Sequence, residues 1–523
     1  MQFQHQKINW RKAHGWIGVV TCIGILMWAG SGITHPIMTR LQSVPVAFMA
    51  PMQTLHLQQT ISPDVVLKNA GIHTLKRLSV VQYQNKNYYR VVEDQNTPAQ
   101  YFEIPLEPST SNHKVIALEH GDAKYAQFLA SHYTGRPESE IVSVDFITEF
   151  STDYHAINQL LPVWRVAFSG SKNLRAFIDT DQSRLSTLVD DVRYTLTQVF
   201  QLGHNWTFLQ GAPTLQIWLM GGVLTVILIS ACSGLYLFFS TRRFAHQRLQ
   251  HQASLKWHRR LGVSVALSTI IFVGSGFYHL IKSNEQAQRA PMTREEWVFN
   301  TEDLSPAIWA QMTRSPIQKM QLVIHDGQPH WLLEMAPMQT QVGHIAQLKH
   351  THQESSDAKH TGHEQHEAHS HHTATDSLIP ASDKPERSQS DLMLYSRSLA
   401  LSYASKAVPM KATISDQEIV STTLITKFGG EYGFLFKRLP VVKVQFTGAG
   451  NPRVYIEPAT GKLAAHITDD DATEGWVFAT IHKWNFVPLG HDGRDLIVVL
   501  FALLNITVAG LGLYVLIKKQ RQR

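Results

Sequence analysis

The sequence predicts an α-helical membrane protein made from one unit used twice: four transmembrane helices arising from an internal duplication, with two larger α/β domains outside the membrane. Three observations lead there. Four long stretches are almost free of charge, basic residues gather on one side of them, and motifs recur along the chain at constant spacing.

The apolar stretches are Ile17–Ile33, Leu215–Phe239, Leu261–Ile281 and Leu496–Ile517. With a rise of ~1.5 Å per residue, each is long enough to cross a hydrocarbon layer of roughly 30 Å. Lys7, Arg11 and Lys12 precede the first stretch. Arg242, Arg243, Arg248, Lys256, Arg259 and Arg260 crowd the link between the second and third, and Lys518, Lys519, Arg521 and Arg523 close the chain. The positive-inside rule assigns all three segments to the cytoplasmic side and both long loops to the opposite one. The expected order is an N-terminus and first span (1–35), a first outer domain (36–213), a second span (214–240), a basic loop (241–260), a third span (261–281), a second outer domain (282–492), and a last span with its tail (493–523). The first span resembles a secretory signal, but its features recur in the third, so it is expected to remain uncleaved.

Composition removes several function classes. The net charge of +6 is largely the topogenic lysine and arginine above, so no nucleic-acid partner is expected. The two cysteines, Cys22 and Cys232, both fall inside apolar stretches, which excludes a disulfide framework and a cysteine-held iron–sulfur cluster. No Gly-x-Gly-x-x-Gly follows a strand, so the chain has no nicotinamide- or flavin-binding domain of its own.

The repeat is the strongest signal. His14-Gly-Trp-Ile-Gly18 matches His258-Arg-Arg-Leu-Gly262, and Gly30-Ser-Gly-Ile-Thr-His35 matches Gly274-Ser-Gly-Phe-Tyr-His279, both displaced by 244 residues. Farther on the displacement becomes 278, for Leu161-Pro-Val and Leu439-Pro-Val, His204-Asn-Trp206 and His482-Lys-Trp484, and Gly234-Leu-Tyr236 and Gly512-Leu-Tyr514. The extra residues lie between His279 and Leu439. That interval contains the histidines His344, His350, His352, His360, His363, His366, His369, His371 and His372, followed by the polar stretch Ser377–Asp391. With few apolar residues, about 343–391 is expected to be a disordered insert. Its imidazoles are candidate ligands for Zn²⁺, Cu²⁺ or Ni²⁺, or it is a solvated linker without a role. Each outer loop carries hairpin patterns, Val80–Tyr83 with Tyr88–Val92 and Leu322–Ile324 with His330–Leu333, then Val163–Phe168 and Val441–Phe446 leading through glycine turns into Arg175–Ile178 and Arg453–Ile456.

His14 and His35 are 21 residues apart, as are His258 and His279. On a helix that is about 31 Å along the axis and only about 60° around it. Each helix thus offers one histidine near either membrane surface. A pseudo-twofold axis normal to the membrane would face the first and third helices, giving two bis-histidine sites suited to two low-spin haems b. Gly18 and Gly262, and Ser31 and Ser275, are the small residues on those faces. His204 and His482, each two residues before a tryptophan, are further candidates to ligate a haem, line its edge or gate access. Two wirings stand open. One pairs His14 with His258 and His35 with His279; the other pairs His35 and His279 with His482 and His204. His491, opposite Pro213 in the repeat, reads as a loop residue, and His120 and His155 as surface residues.

Trp10-Arg-Lys-Ala-His14, Trp257-His258-Arg-Arg-Leu-Gly262, the two Gly-Ser-Gly-x-x-His ends and the two His-x-Trp elements resemble the PepSY-associated transmembrane proteins, the iron-regulated membrane protein group that includes siderophore-iron reductases. Tyr455-Ile-Glu-Pro-Ala-Thr-Gly461-Lys-Leu is similar to the strand–turn ending of PepSY domains. The resemblance covers nearly the whole chain apart from the histidine-rich insert. It implies two periplasmic PepSY-like domains, a bacterial inner-membrane location with both termini cytoplasmic, two haems b, and reduction of a periplasmic ferric siderophore or other metal chelate. Electrons would come from a cytosolic reductase or from quinol. Two alternatives remain: a non-enzymatic metal-binding or PepSY regulatory membrane protein, and a di-haem reductase of another periplasmic acceptor such as copper.

Overall fold

The structure, a computed structural model, describes residues 10–106, 115–241, 253–289, 292, 296–313, 317–335, 376–380, 389–407 and 416–521. The nine histidines of the insert and most of the basic link after the second span lie outside the described residues. The chain divides into two compact units, Met1–Ser43 with Asp190–Arg289 and Asp470–Arg523, and Val44–Val189 with Ala290–Asp469.

The first unit is helical. Its helices are α1 (Trp10–Gly32), α2 (Thr34–Leu41), α3 (Asp191–Gly203), α4 (Pro213–Ser240), α5 (Ala253–Ala287), α6 (Asp469–Trp476) and α7 (Gly490–Arg521). Four stretches, α1 with α2, then α4, α5 and α7, are long and apolar enough to cross a membrane. Each extends beyond the apolar run that marks it in the sequence, because backbone hydrogen bonding continues the helix into its polar flanks. α1 packs along α4 and α7, and α5 packs along the same two helices, so α1 and α5 face each other across the bundle. Small polar groups tie the helices together within the span. The Cys22 thiol donates to the Ala509 carbonyl (3.1 Å), Thr269 donates to Asn505 Oδ1 (2.5 Å), and Asn505 Nδ2 donates to Ser268 Oγ (3.4 Å).

The matched histidine ends of α1 and α5 diverge in backbone. Pro36 has no N–H and its ring crowds the preceding turn, so the first helix breaks at Ile33 and restarts as α2. Leu280 holds the matching place after His279, and α5 runs on to Ala287. A second divergence precedes the two His-x-Trp elements. α3 ends in ordinary α geometry, with the His204 N–H donating to Phe200 O (2.7 Å), whereas α6 runs into a π-helical turn, Val477–His482, closed by Lys483 N–H to Phe478 O (3.1 Å).

The second unit is built on three main sheets. Strands Val163–Phe168, Arg175–Asp179 and Arg184–Val189 follow Ile141–Ile147 in an antiparallel four-stranded meander. Val441–Phe446, Arg453–Glu457 and Lys462–Ile467 follow Ile419–Ile425 in another with the same order. Their registers coincide at the displacement of 278: Ile141 faces Phe168 as Ile419 faces Phe446, and each second pairing bears a bulge one residue on. Each meander carries one amphipathic helix, Gly121–Thr134 or Gln389–Ala407. Tyr133 donates to Ser183 O (2.8 Å) and Tyr403 to Gly461 O (2.9 Å), at matching places in the two closing hairpins.

The third sheet differs from expectation. Two separate outer domains are expected from the sequence, but the hairpin Arg77–Tyr83/Lys86–Val92 from one half and Ile317–His325/Gln328–Met335 from the other pair edge to edge, Val80 with Met320 and Ser79 with Gln321. Two exposed edges thereby become one interior pairing. The hairpin turns are set by Gln84 and Asn85, and by Asp326 and Gly327, all at positive φ. A further correction falls in the insert. Asp376–Pro380 forms a strand paired with Gln328–Met335, with Leu378 opposite Leu332 and Ile379 opposite Trp331. The pairing is made by the backbone against a sheet edge that is already formed.

Ionic contacts join the two meanders. Arg184 lies 2.8 Å from Asp179 in its own hairpin and 2.6 Å from Glu457 in the other, and Arg438 lies 2.7 Å from Glu457. Glu457 is 1% exposed. Burial alone raises its carboxyl pKa, but the guanidinium groups of Arg184 and Arg438 outweigh burial and hold it below the ordinary carboxylate range. A depressed folded value contributes stability above the unfolded pKa of about 4.3 and loses it as the pH falls. Glu457→Ala leaves two buried guanidinium groups short of a partner and is expected to cost about 3 kcal/mol or more at neutral pH. Thermal melting between about pH 7 and 3 checks this: the difference between wild type and variant should shrink toward the acid end.

Candidate functional site

The bundle brings histidines into two ring pairs. His14 on α1 and His258 on α5 have ring centres 6.4 Å apart, and His204 and His482, which follow α3 and α6, have ring centres 6.3 Å apart. Two imidazoles bound trans to one metal ion, with bonds of about 2.0 Å, place their ring centres about 6 Å apart. Both pairs fit that separation.

The Nδ1 atom of each of the four rings faces an oxygen on another stretch of chain. The Ser233 hydroxyl donates to Ser230 O (3.0 Å), so its oxygen is left to accept from His14 Nδ1–H (2.9 Å). His258 Nδ1–H donates to the Val508 carbonyl (3.0 Å). Ser31 donates to Met27 O (2.5 Å) and stands 3.4 Å from His204 Nδ1, while Ser275 donates to Ile271 O (2.6 Å) and stands 3.0 Å from His482 Nδ1. With Nδ1 carrying the proton, each ring keeps the Nε2 lone pair for a metal. Burial pushes the pKa of His204 down to about 4 and that of His482 down to about 3, so both are neutral, ligand-competent imidazoles at physiological pH.

Glycines and aromatic rings shape the surroundings. A Cβ on Gly234 would lie 3.3 Å from His14 Cε1 and one on Gly512 would lie 3.0 Å from His258 Cε1, so the repeated Gly-Leu-Tyr element is glycine where an imidazole presses on the neighbouring helix. Gly18 and Gly30 face open space instead. Phe200 stacks on His204 (4.6 Å) and Phe478 on His482 (5.2 Å); Trp28 stacks on Trp206 (5.1 Å) and Phe272 on Trp484 (5.2 Å). Trp206 and Trp484 both adopt positive φ, and their indole N–H groups are buried without an acceptor among the described residues. A buried donor left unmade costs about 1–3 kcal/mol. Its repetition in both halves suits a bound group that brings acceptors, as the two carboxylates of a porphyrin do. The Nε2 atoms left open in each pair and these unmet donors are groups that a haem b would use.

Of the two wirings drawn from the sequence, the His14–His258 pairing has its rings side by side, and at the outer end His279 and His35 both lie near enough to act on His204. The inner pair joins His14 with His258, but the outer ring pair is His204 with His482. His35 and His279 each stand one aromatic ring away: His35 lies 6.3 Å from Phe200 and His279 lies 4.5 Å from Phe478. His279 Nδ1–H is further taken by the Glu474 carboxylate, where the repeat places Leu196 in the other half. Ser233, Val508, Phe200, Phe478 and Glu474 escaped sequence reasoning; the recurrence of Phe200 at Phe478 was the one available signal. Among the described residues, no three or more His, Cys, Asp or Glu side chains are grouped to hold a bare metal ion.

Gly512→Leu pushes a side chain into the His258 ring. It is expected to drive the His258 ring away from His14, read as a change confined to the His14 and His258 signals in an imidazole NMR spectrum while those of His204 and His482 stay in place. No protein-family model matches this chain, and no curated protein matches it.

Proposed function

We propose that the protein is a di-haem b oxidoreductase of the inner membrane, of the PepSY-associated transmembrane type, that delivers electrons to a periplasmic ferric chelate such as a ferric siderophore. The single observation that carries this reading is the two imidazole pairs, ring centres 6.4 and 6.3 Å apart, each ring with Nδ1 engaged. His14 and His258 would hold one haem, His204 and His482 the other. When bound, the haems would supply one-electron redox chemistry.

The remaining work falls to the chain's own side chains. Ser233 and the Val508 carbonyl orient the inner rings, and Ser31 and Ser275 the outer ones. His14 and Ser31, the latter beside His204, are 17 residues apart on α1, about 25 Å along its axis, so the two sites lie near opposite faces of a layer roughly 30 Å thick. Trp28 stacked on Trp206 and Phe272 stacked on Trp484 would shield the outer pair from water. His279 and Glu474 hold a proton at Nδ1 beside the same pair. The donor would be a separate reductase or quinol, because no nucleotide-binding motif is present. Reduction would loosen the chelate, since hard oxygen ligands prefer Fe³⁺ to Fe²⁺.

A dithionite-reduced minus oxidised spectrum of the purified protein tests the reading. A b-type α band is expected, reduced by about half in His14→Ala and in His482→Ala, because each removes one of two axial pairs. Absence of the band, or a band indifferent to all four ligand substitutions, overturns it. Anaerobic reoxidation by ferric siderophores, with Cu²⁺ in parallel, then identifies the acceptor.

A further inference from the structure

The two hairpins of the six-stranded sheet agree in backbone and differ in one chemical respect. Aligned on their turns, Tyr83 and Tyr88 of the first half match His325 and His330 of the second, at a displacement of 242 residues. The helix residue beside them matches too. Tyr125 lies edge-on to Tyr83 with ring centres 6.4 Å apart, and Tyr395 lies edge-on to His325 at 5.6 Å. A displacement of 270 relates Tyr125 to Tyr395, as it relates Tyr133 to Tyr403. The aromatic face is kept in both halves, but the two phenols of one are imidazoles in the other.

His325 and His330 have ring centres 5.3 Å apart. Two imidazoles on one tetrahedral ion, with bonds of about 2.0 Å, place their ring centres about 5.2 Å apart. On neighbouring corners of a square-planar ion the separation would be about 4.5 Å. The nitrogens are disposed for the first case. His330 Nδ1–H donates to Gln328 O (3.0 Å), which makes Nε2 the basic nitrogen of that ring. The Asp326 carboxylate stands 3.6 Å from His325 Nε2 and favours the proton there, while His325 Nδ1 is buried with no hydrogen-bond partner among the described residues. A buried polar atom left unmade costs about 1–3 kcal/mol. The setting is specific to this half. Gln328–Met335, the strand of His330, ends nine residues before His344, the first of the nine insert histidines. Asp376–Pro380 begins four residues after the last of them and pairs back on that strand, Pro380 opposite His330. The half with tyrosines has no such tract.

We propose that His325 and His330 form a binding site for a divalent transition-metal ion of tetrahedral preference, Zn²⁺ foremost. His325 Nδ1 and His330 Nε2 are its ligands, Asp326 orients the first ring, and water fills the remaining positions. The site is separate from the imidazole pairs of the helical unit and does not rest on any cofactor there. With two protein ligands it holds an exchangeable ion rather than a structural one, beside a tract whose imidazoles suit the same ions.

Isothermal titration with Zn²⁺ tests this, on the full-length protein in detergent with the nine insert histidines replaced by glutamine so that they do not compete. His325→Tyr with His330→Tyr installs the residues that the first half carries, and should melt as its parent does when no zinc is present. This double variant is expected to bind one Zn²⁺ fewer per chain than the parent. His330→Gln, at a partly exposed position, provides a second reading should the double variant melt early; it should weaken the same binding step at least about tenfold, since one of two ligands is gone. Zinc taken up by the bundle histidines would be indifferent to both changes. Equal stoichiometry and affinity in the parent, the double variant and His330→Gln overturns the proposal, as does a parent that shows no saturable zinc binding.

Discussion

An imidazole inside a membrane bundle is useful to a metal only if its other nitrogen is occupied, and much of the first unit follows from that requirement. Four rings need four acceptors at Nδ1. Each acceptor comes from a different stretch of chain than the ring it serves: Ser233 on α4, Val508 on α7, Ser31 on α1 and Ser275 on α5. The serines can accept because each gives its own proton to a carbonyl one turn back, a habit that satisfies a hydroxyl within apolar surroundings. Helix packing and ligand orientation are thus the same set of contacts. A shift of α4 along α1 would misplace Ser233 and the Gly234 surface together.

The two halves agree closely in framework and differ where polar chemistry concentrates. Sheet registers, positive-φ positions and the stacking of Trp206 and Trp484 repeat across the chain. Glu474 at His279, the Ser268–Thr269–Asn505 group and the ion pairs of Arg40 with Asp492 (2.6 Å) and Asp495 (2.8 Å) have no repeated equivalents, since Leu196, Gly24, Ile25, Ile227, Asn284, Thr214 and Ile217 stand at the matching places. Apolar packing tolerates strict repetition, whereas a charged or hydrogen-bonding group acts in one direction. The differences give the two sides of the outer pair distinct electrostatic surroundings.

Local signals made the spans, the hairpins and the inner histidine pair legible in the sequence, because apolar runs, turn residues and a constant displacement all act at short range or by repetition. His204 and His482 were visible as candidates through their tryptophans, but their partnership was not. It depends on how the segments that follow α3 and α6 meet in space, which residue spacing does not record. The strand Asp376–Pro380 was hidden because its pairing is with a distant sheet edge rather than with a neighbour in sequence. The Arg184–Glu457–Arg438 group joins residues far apart in sequence, and charge composition alone does not say which carboxylate meets which guanidinium.

The shared six-stranded sheet bears on how such a chain can be divided. Cut between the halves, each piece would carry a bare strand, Arg77–Tyr83 or Ile317–His325, with its hydrogen-bonding edge turned to water. Such an edge seeks another edge. A single half would therefore dimerise on itself or aggregate, and two separately made halves would find each other by the same backbone pairing. Covalent linkage fixes the stoichiometry at one of each and lets the two edges diverge in side chains without losing their partner. A chain joined through such a pairing behaves in this respect as a tethered heterodimer, because neither hairpin is free to pair with a copy of itself.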